Sequence, residues 1–385
     1  MEGDLIKINE WLLPFSWLYG LGVKLRNQLF DMGVLKSKSY DIPVISVGNI
    51  TVGGTGKTPH TEYLVRLLSK KYKVAVLSRG YKRKSKGFLL ATPDTPVEQI
   101  GDEPFQMKRK FPDIYVAVDK DRCHGIERLC DKSVAPDLDV IILDDAYQHR
   151  YVKPGVNILL VDYHRMIVED RLLPAGRLRE PKEGKNRANI VIVTKCPHDI
   201  KPMGIRVISK ALNLYPYQKL YFSTFRYREM IPLFDKQASR RTLDQLAENE
   251  QVLLLTGIAM PEQMKMDLQE YSAHITPLSF RDHHFFTASD VNHINETFAN
   301  LASPKIIVTT EKDSARLLML KGLSDEVRRA LYMLPVEVEI LQGRQDVFNE
   351  NMTGYVLKNS RNSTLVKRKN GNKAGNGNYS GHRSR

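Results

Sequence analysis

Thr51-Val52-Gly53-Gly54-Thr55-Gly56-Lys57-Thr58 is the stretch that decides the fold of this chain. It follows an apolar run, Ile42-Pro43-Val44-Ile45-Ser46-Val47, and precedes residues 59–71, where Tyr63, Leu64, Leu67 and Leu68 recur at helical spacing. A glycine-rich turn between a buried strand and a helix converges backbone N–H groups on one spot. The positive end of the helix favours a phosphate there. Lys57 can then reach the outer phosphates, and the Thr58 hydroxyl can join the shell of a magnesium ion. One position departs from the full phosphate-loop pattern: Thr51 stands where the first glycine belongs. A flexible turn that happens to contain a lysine is the competing reading. The order strand, turn, Gly-Lys-Thr, helix favours phosphate binding.

The 385 residues suffice for two domains of ordinary size. A hydrophobic content of 42% with 26% charged residues is that of a folded protein and excludes a disordered one. The formal net charge of +14 implies an acidic partner: nucleic acid, an anionic membrane surface or a phosphorylated substrate. No aromatic-rich nucleic-acid module stands out, so no nucleic-acid partner is expected. The three cysteines, Cys123, Cys130 and Cys196, argue for a reducing compartment. Cys123-His124 and Cys130 lack paired-ligand spacing, which speaks against zinc.

Four segments follow along the chain. Residues 1–40 contain an uncharged stretch from Trp11 to Val23 that holds both tryptophans. It is shorter than the roughly 20 apolar residues a membrane span needs, and it lacks the flanks of a signal peptide. With Lys24 and Arg26 behind it, it suits either a helix lying in a membrane interface or an N-terminal helix packed on the core. Residues 41–215 alternate buried runs, at 43–47, 73–77, 114–118, 140–143, 157–161 and 190–194, with helical patterns. That is an α/β fold with a largely parallel sheet flanked by helices, of the P-loop NTPase-like kind. Ligands in such sheets sit at the carboxyl ends of the strands. Residues 216–358 read as a second, smaller α/β domain. Its expected strands are 220–225, 251–256, 305–309 and 336–341, its expected helices 260–270 and 288–301, and the charged stretch 227–250 bridges the two units. Residues 359–385 are a basic tail whose composition cannot offset its ordering entropy.

Several short motifs could carry chemistry. The run 140–143 ends in Asp144-Asp145, and an acid at such a strand end holds magnesium directly or through water. Gln148 and His149 follow closely. Gly101-Asp102-Glu103-Pro104 puts two acids at a turn, as a magnesium and proton-accepting pair or as a helix cap. Arg281-Asp282-His283-His284 offers a carboxylate beside an imidazole for acid–base work, although histidines in loops are more often structural. Leu172–Arg179 contains Arg177 and Arg179, whose forks suit phosphate oxygens. Thr310-Glu311-Lys312-Asp313 ends another run, and Thr194-Lys195-Cys196-Pro197 is a weak nucleotide-base loop.

Together these motifs resemble the tetraacyldisaccharide 4′-kinase family of lipid A biosynthesis. The resemblance rests on Asn49 with the loop Thr51–Thr58 and Pro59, Ser78-Arg79-Gly80-Tyr81, Gly101–Pro104, and Asp144-Asp145-Ala146-Tyr147-Gln148-His149. It extends through Leu172–Arg177, Asp282–His284 and Thr310–Asp313, in order over most of the chain. That family's loop also lacks the first glycine. Ala146-Tyr147 departs from the usual Gly-Phe, and the tail lies outside the family core. The resemblance implies transfer of the γ-phosphoryl group of ATP to the 4′-hydroxyl of a tetraacylated glucosamine disaccharide 1-phosphate. It implies Mg2+, and a peripheral position at the cytoplasmic face of the bacterial inner membrane through the N-terminal helix. No obligate protein partner is implied. The roles it implies put residues 51–58 around the phosphates, with Lys57 on the β/γ oxygens. Thr58, Glu103 and Asp144 or Asp145 serve the metal. Asp102 takes the hydroxyl proton, tuned by His283 (His284 being the other candidate) when the domains close. Arg122, Arg177 and Arg179 bind the sugar 1-phosphate or the moving phosphoryl group.

Two other classes share some of these features. A nucleotide-hydrolysing switch or chaperone would carry the same loop and acids, and a basic nucleic-acid-dependent ATPase would carry the charge. Only the kinase needs the second unit to bring Asp282-His283 toward Asp102.

Overall fold

The apolar runs become strands because their branched side chains alternate between two covered faces. The computed structural model describes residues 8–360 except 236, 259, 260, 283 and 285. The strands of the first part are β1 (Val44–Gly48), β2 (Val74–Ser78), β3 (Leu89–Leu90), β4 (Tyr115–Val118), β5 (Val140–Asp144), β6 (Val156–Asp162), β7 (Ile190–Thr194) and β8 (Lys219–Tyr227). β9 (Ile231–Pro232), β10 (Gln251–Thr256), β11 (Ile275–Ser279), β12 (Lys305–Thr310), β13 (Leu331–Leu334) and β14 (Val336–Ile340) follow.

The described strands form two sheets, one of nine in the order β14-β8-β7-β6-β1-β5-β2-β4-β3 and one of five in the order β11-β10-β12-β13-β9. Alternation along single strands shows how both faces are filled. Ile158 and Leu160 of β6 join the cluster under α2 (Lys57–Leu68), whereas Leu159 and Val161 join the cluster on the opposite face. In the smaller sheet Val252 and Leu254 of β10 point one way, and Leu253 and Leu255 the other. β1 lies between β5 and β6, parallel to both, so the crevice at its carboxyl end opens where the chain order of the strands diverges.

The second unit is smaller than its sequence suggests. The strands expected at 220–225 and 336–341 belong to the large sheet: β8 runs parallel to β7, and β14 returns antiparallel against β8. Strand patterns carry no address for their partners. Val338 and Ile340 complete the core beneath α2, together with Phe348, Met352 and Val356 of a final helix, Gln345–Asn359. Tyr63 of α2 donates to Asn349 of that helix at 2.7 Å. The stretch expected to bridge the units contributes β9, paired antiparallel to β13. The expected helices 260–270 and 288–301 are Pro261–Gln269 and Ala288–Ala299.

The N-terminal segment forms α1 (Leu13–Asp31), preceded by a short turn of helix, Glu10–Leu12. Among the described residues, no helix is long and apolar enough to cross a membrane. The basic tail from 361 onward, and His283, lie outside the described residues.

Candidate active site

The glycine loop leaves β1 through Asn49, whose buried side chain donates to the Thr55 hydroxyl at 2.7 Å. Thr51 is buried and pairs with Leu178 in an isolated bridge, while Val52 N–H donates to Arg177 O at 2.7 Å. No positive φ is needed at Thr51, so a side chain is tolerated where the common pattern has glycine. Gly56 is different. Its φ of +80° and the 2.8 Å from a built Cβ to Phe225 both require glycine, and it hands the chain to α2. His60, in the first turn of α2, bonds Gly56 O at 2.7 Å and the Ser223 hydroxyl of β8 at 2.9 Å. Burial pushes the His60 imidazole down to about 4, so it is neutral near pH 7.

The acids come to this loop from neighbouring elements. β5 ends in buried Asp144, which accepts from Thr61 of α2 at 3.2 Å. Burial, reinforced by Glu103 and then Asp145, raises the Asp144 carboxyl to about 7. Asp145, held at a φ of +48°, lies 3.8 Å from Lys57 Nζ and 3.4 Å from Arg179 Nη1. Its Oδ1 is buried and has no hydrogen-bond partner, since the Lys57 contact is an ion pair beyond hydrogen-bond length. Three mutually repelling carboxylates beside a phosphate loop, one with an orphaned oxygen, fit a divalent cation.

Lys57, Thr58, Glu103, Asp145 and Arg177 line one cleft of about 1370 Å³. Gln148 and His149 line it too, and burial, then Arg122, pushes His149 down to about 4. Arg122 also faces the cleft, but it is almost wholly buried and donates to Asp119 O and Lys120 O at 3.2 and 3.3 Å. Burial lowers Arg122 to about 10, against the pull of Asp145 and Asp144. Asp121, Cys123 and His149 bring one ligand atom each within 4.8 Å of one another. Asp121 there already caps the helix Arg122–Cys130, and the Arg122 charge beside His149 opposes a second cation.

Both sheets feed this cleft with the carboxyl ends of their strands. From the smaller sheet come Asp282, Thr310, Glu311 and Lys312, with Lys312 bonded to Asp282 at 2.8 Å. Asp102 opens the helix Asp102–Lys110 and pairs with Arg316 of the smaller sheet's helix Glu311–Leu317 at 3.4 Å. His284 bonds Asp290 at 2.9 Å and stacks on Phe280, which ties it to the cap of the helix Ala288–Ala299.

Sequence reasoning missed several contributors. The loop carrying Arg177 and Arg179 buttresses the glycine loop with its backbone, and it receives α1 through Ser16, which donates to Leu172 O at 2.9 Å. Tyr19, Val23 and Arg26 of α1 form a wall of the cleft. Arg316 and Lys110 join the two sheets, and a lone basic residue on a helix carries no signal of that. His60 stood within the motif's own first turn and could have been noticed there.

The family described as LpxK, Tetraacyldisaccharide-1-P 4'-kinase, matches residues 8–356. The chain belongs to the tetraacyldisaccharide 4′-kinase family. It is 63% identical over 366 residues to the tetraacyldisaccharide 4'-kinase of Phocaeicola vulgatus, covering 95% of this chain and 100% of that one. It is 55% identical over 377 residues to the enzyme of the same name from Bacteroides fragilis, covering 97% and 100%. In structure it resembles LpxK of Aquifex aeolicus in complex with ATP, with a TM-score of 0.66, 29% identity, and 90% and 98% of the two chains covered. It is therefore a transferase, a kinase of lipid A biosynthesis with a P-loop NTPase-like α/β fold.

Proposed function

We propose that this kinase moves the γ-phosphoryl group of ATP to the 4′-hydroxyl of a tetraacyldisaccharide 1-phosphate at a membrane surface. The observation that carries the reading is the shared cleft, where the glycine loop, Glu103 and Asp145 meet under a wall supplied by α1, with Asp102 next to Glu103 in the chain and paired to Arg316. Residues 51–58 cradle the phosphates, with Lys57 on the β/γ oxygens. Thr58, Asp144, Asp145 and Glu103 would hold Mg2+, which when bound neutralises charge on the phosphates. The bond from the acceptor oxygen to γ-phosphorus forms as the bond to the ADP oxygen breaks, and the hydroxyl proton passes to Asp102. Arg122, Arg177 and Arg179 supply positive charge to the acceptor's 1-phosphate or to the moving group. Alignment and charge neutralisation carry most of such a reaction.

α1 supports a position for the acceptor. Phe15, Trp17, Leu18 and Leu21 are exposed on its outer face and Trp11 in the turn before it, while its inner face meets the cleft. An apolar outer face next to an anion-binding cleft suits a helix lying in the interface of the cytoplasmic leaflet of the bacterial inner membrane, with the acyl chains left in the lipid. The basic charge of the chain favours that anionic surface.

Purified protein with ATP, Mg2+ and detergent-dispersed lipid disaccharide should yield a 4′-phosphorylated product. ATP hydrolysis that ignores the acceptor would instead support a switch. Asp102→Asn should lower turnover about 10²–10⁴-fold with ATP affinity retained. Equal loss of both would make Asp102 a structural or metal-binding group.

A further inference from the structure

Arg316 occupies an unusual place in the seam between the two sheets. Its side chain is 7% exposed, yet it sits among three motifs distant in sequence. Nη1 donates to His284 O at 2.8 Å, Nη2 lies 3.4 Å from Asp313 Oδ1, and Nε lies 3.4 Å from Asp102 Oδ2. Asp313 is fully buried and pinned by Gly257 N–H at 2.9 Å and the Thr310 hydroxyl at 2.7 Å, so the anchor of the guanidinium is rigid. Nε and Nη2 are buried without hydrogen bonds, which leaves their contacts as ion pairs.

Part of the reason for this charge is structural, since removing one partner of a buried ion pair leaves the other, here Asp313, uncompensated. Asp313 accounts for Nη2 but not for Nε, which faces a different carboxylate. The seam also has another tie: Lys110, from the same helix as Asp102, reaches Glu311 at 2.7 Å and Glu62 at 2.6 Å. What Arg316 adds is a contact to Asp102 itself.

We propose that Arg316 is a positioning residue that holds the Asp102 carboxylate in its productive orientation, so that Asp102 acts only while the smaller sheet is docked on the larger. This rests on the reading of Asp102 as the proton acceptor. The planar fork suits the task, because Nη2 beside Asp313 and Nη1 on the His284 carbonyl fix its plane, and Nε is thereby aimed at Asp102. A displacement of about 1 Å in such a group costs on the order of 10²-fold in rate.

The test is kcat and KM for ATP and for the lipid acceptor in Arg316→Met, Arg316→Lys, Asp102→Asn, both double variants and Lys110→Gln, each with its melting temperature. Arg316→Met should lose about 10–100-fold in kcat with KM for ATP changed by less than about two-fold. Arg316→Lys should recover part of that loss. Neither change should add further loss on top of Asp102→Asn, because coupled residues are not additive. Lys110→Gln breaks the other tie from outside the cleft lining and without touching Asp102, so it should lower the melting temperature and leave kcat within about three-fold. Losses that multiply with Asp102→Asn would overturn the proposal, as would an Arg316→Met profile that matches Lys110→Gln. If Arg316→Met does not fold, the Arg316→Lys cycle with Asp102→Asn decides alone. Wild-type turnover in Asp102→Asn by itself would overturn the reading of Asp102, and this inference with it.

Discussion

Two helices reach the same cleft, one with polar groups buried on it and the other with large apolar groups exposed. α2 buries polar groups: His60, Thr61 and Glu62 are 4%, 0% and 3% exposed, alongside Leu64, Val65 and Leu68. α1 buries Ser16, Gly20 and, near its end, Phe30, and it turns Trp17 and Leu18 outward at 73% and 69% exposure, below Trp11 at 91%. Burying polar groups is tolerable only when they are satisfied. In α2 they are: His60 clamps the glycine loop to β8, Thr61 holds Asp144, and Glu62 accepts from Gln106 at 2.9 Å and from Lys110. Burial and the nearby Glu311 still raise the Glu62 carboxyl, against the pull of Lys110. A run of exposed aromatics has no such compensation in water, and it marks a surface that meets something apolar. The difference teaches that a helix's outward face should be judged against the medium it meets, and the two helices of this kinase meet different media in the function proposed for it.

The contrast can be tested from either side. The largest effect should come from α2. Lys57→Ala removes the one cation of the glycine loop and should cost at least about 10³-fold in turnover, read in a coupled ADP-release assay. Survival of most of the activity would mean that the buried polar face of α2 is scaffolding alone.

A middle-sized effect concerns His60. Its folded value near 4 lies below the unfolded value of 6.5, so its contribution to stability is complete above pH 6.5. That contribution is lost as pH falls from 6.5 through 4. The total is about 3 kcal/mol. Denaturant melts of the wild type and His60→Gln between pH 4 and 7 should converge toward the acid end. Parallel curves would show that the imidazole is not buried in its neutral form.

The smallest effect should come from α1. Replacing Trp11 and Trp17 by Ser should weaken co-sedimentation with anionic phospholipid vesicles about ten-fold and leave the melting temperature almost unchanged. A fall in melting temperature with unaltered sedimentation would make the outer face of α1 part of the fold.

Much of the site was legible because its signals are local. A glycine loop between a strand and a helix, and two acids at the end of an apolar strand, need only near neighbours to express their chemistry. Val52–Thr58 and Asp145 accordingly line the cleft, with Asp144 just behind. The misplaced boundary near residue 216 has the opposite cause. β8 and β14 read as ordinary strands, and their place in the large sheet depends on a helix more than 100 residues later than β8 in the chain. The role of the loop 172–179 was hidden in the same way, since it supports the glycine loop through backbone groups that every residue possesses.

By itself, then, the sequence determined the α/β class, the phosphate-binding loop, the acids beside it and the family, because each is written in residues close together or in a fixed order of motifs. Tertiary structure alone decided which strands share a sheet, that Asp102 meets Arg316 across the seam, and that α1 faces outward with its aromatics. Those are contacts between residues tens to hundreds of positions apart. Their energies come from complementary surfaces that form only when the whole chain packs, and no local pattern encodes them.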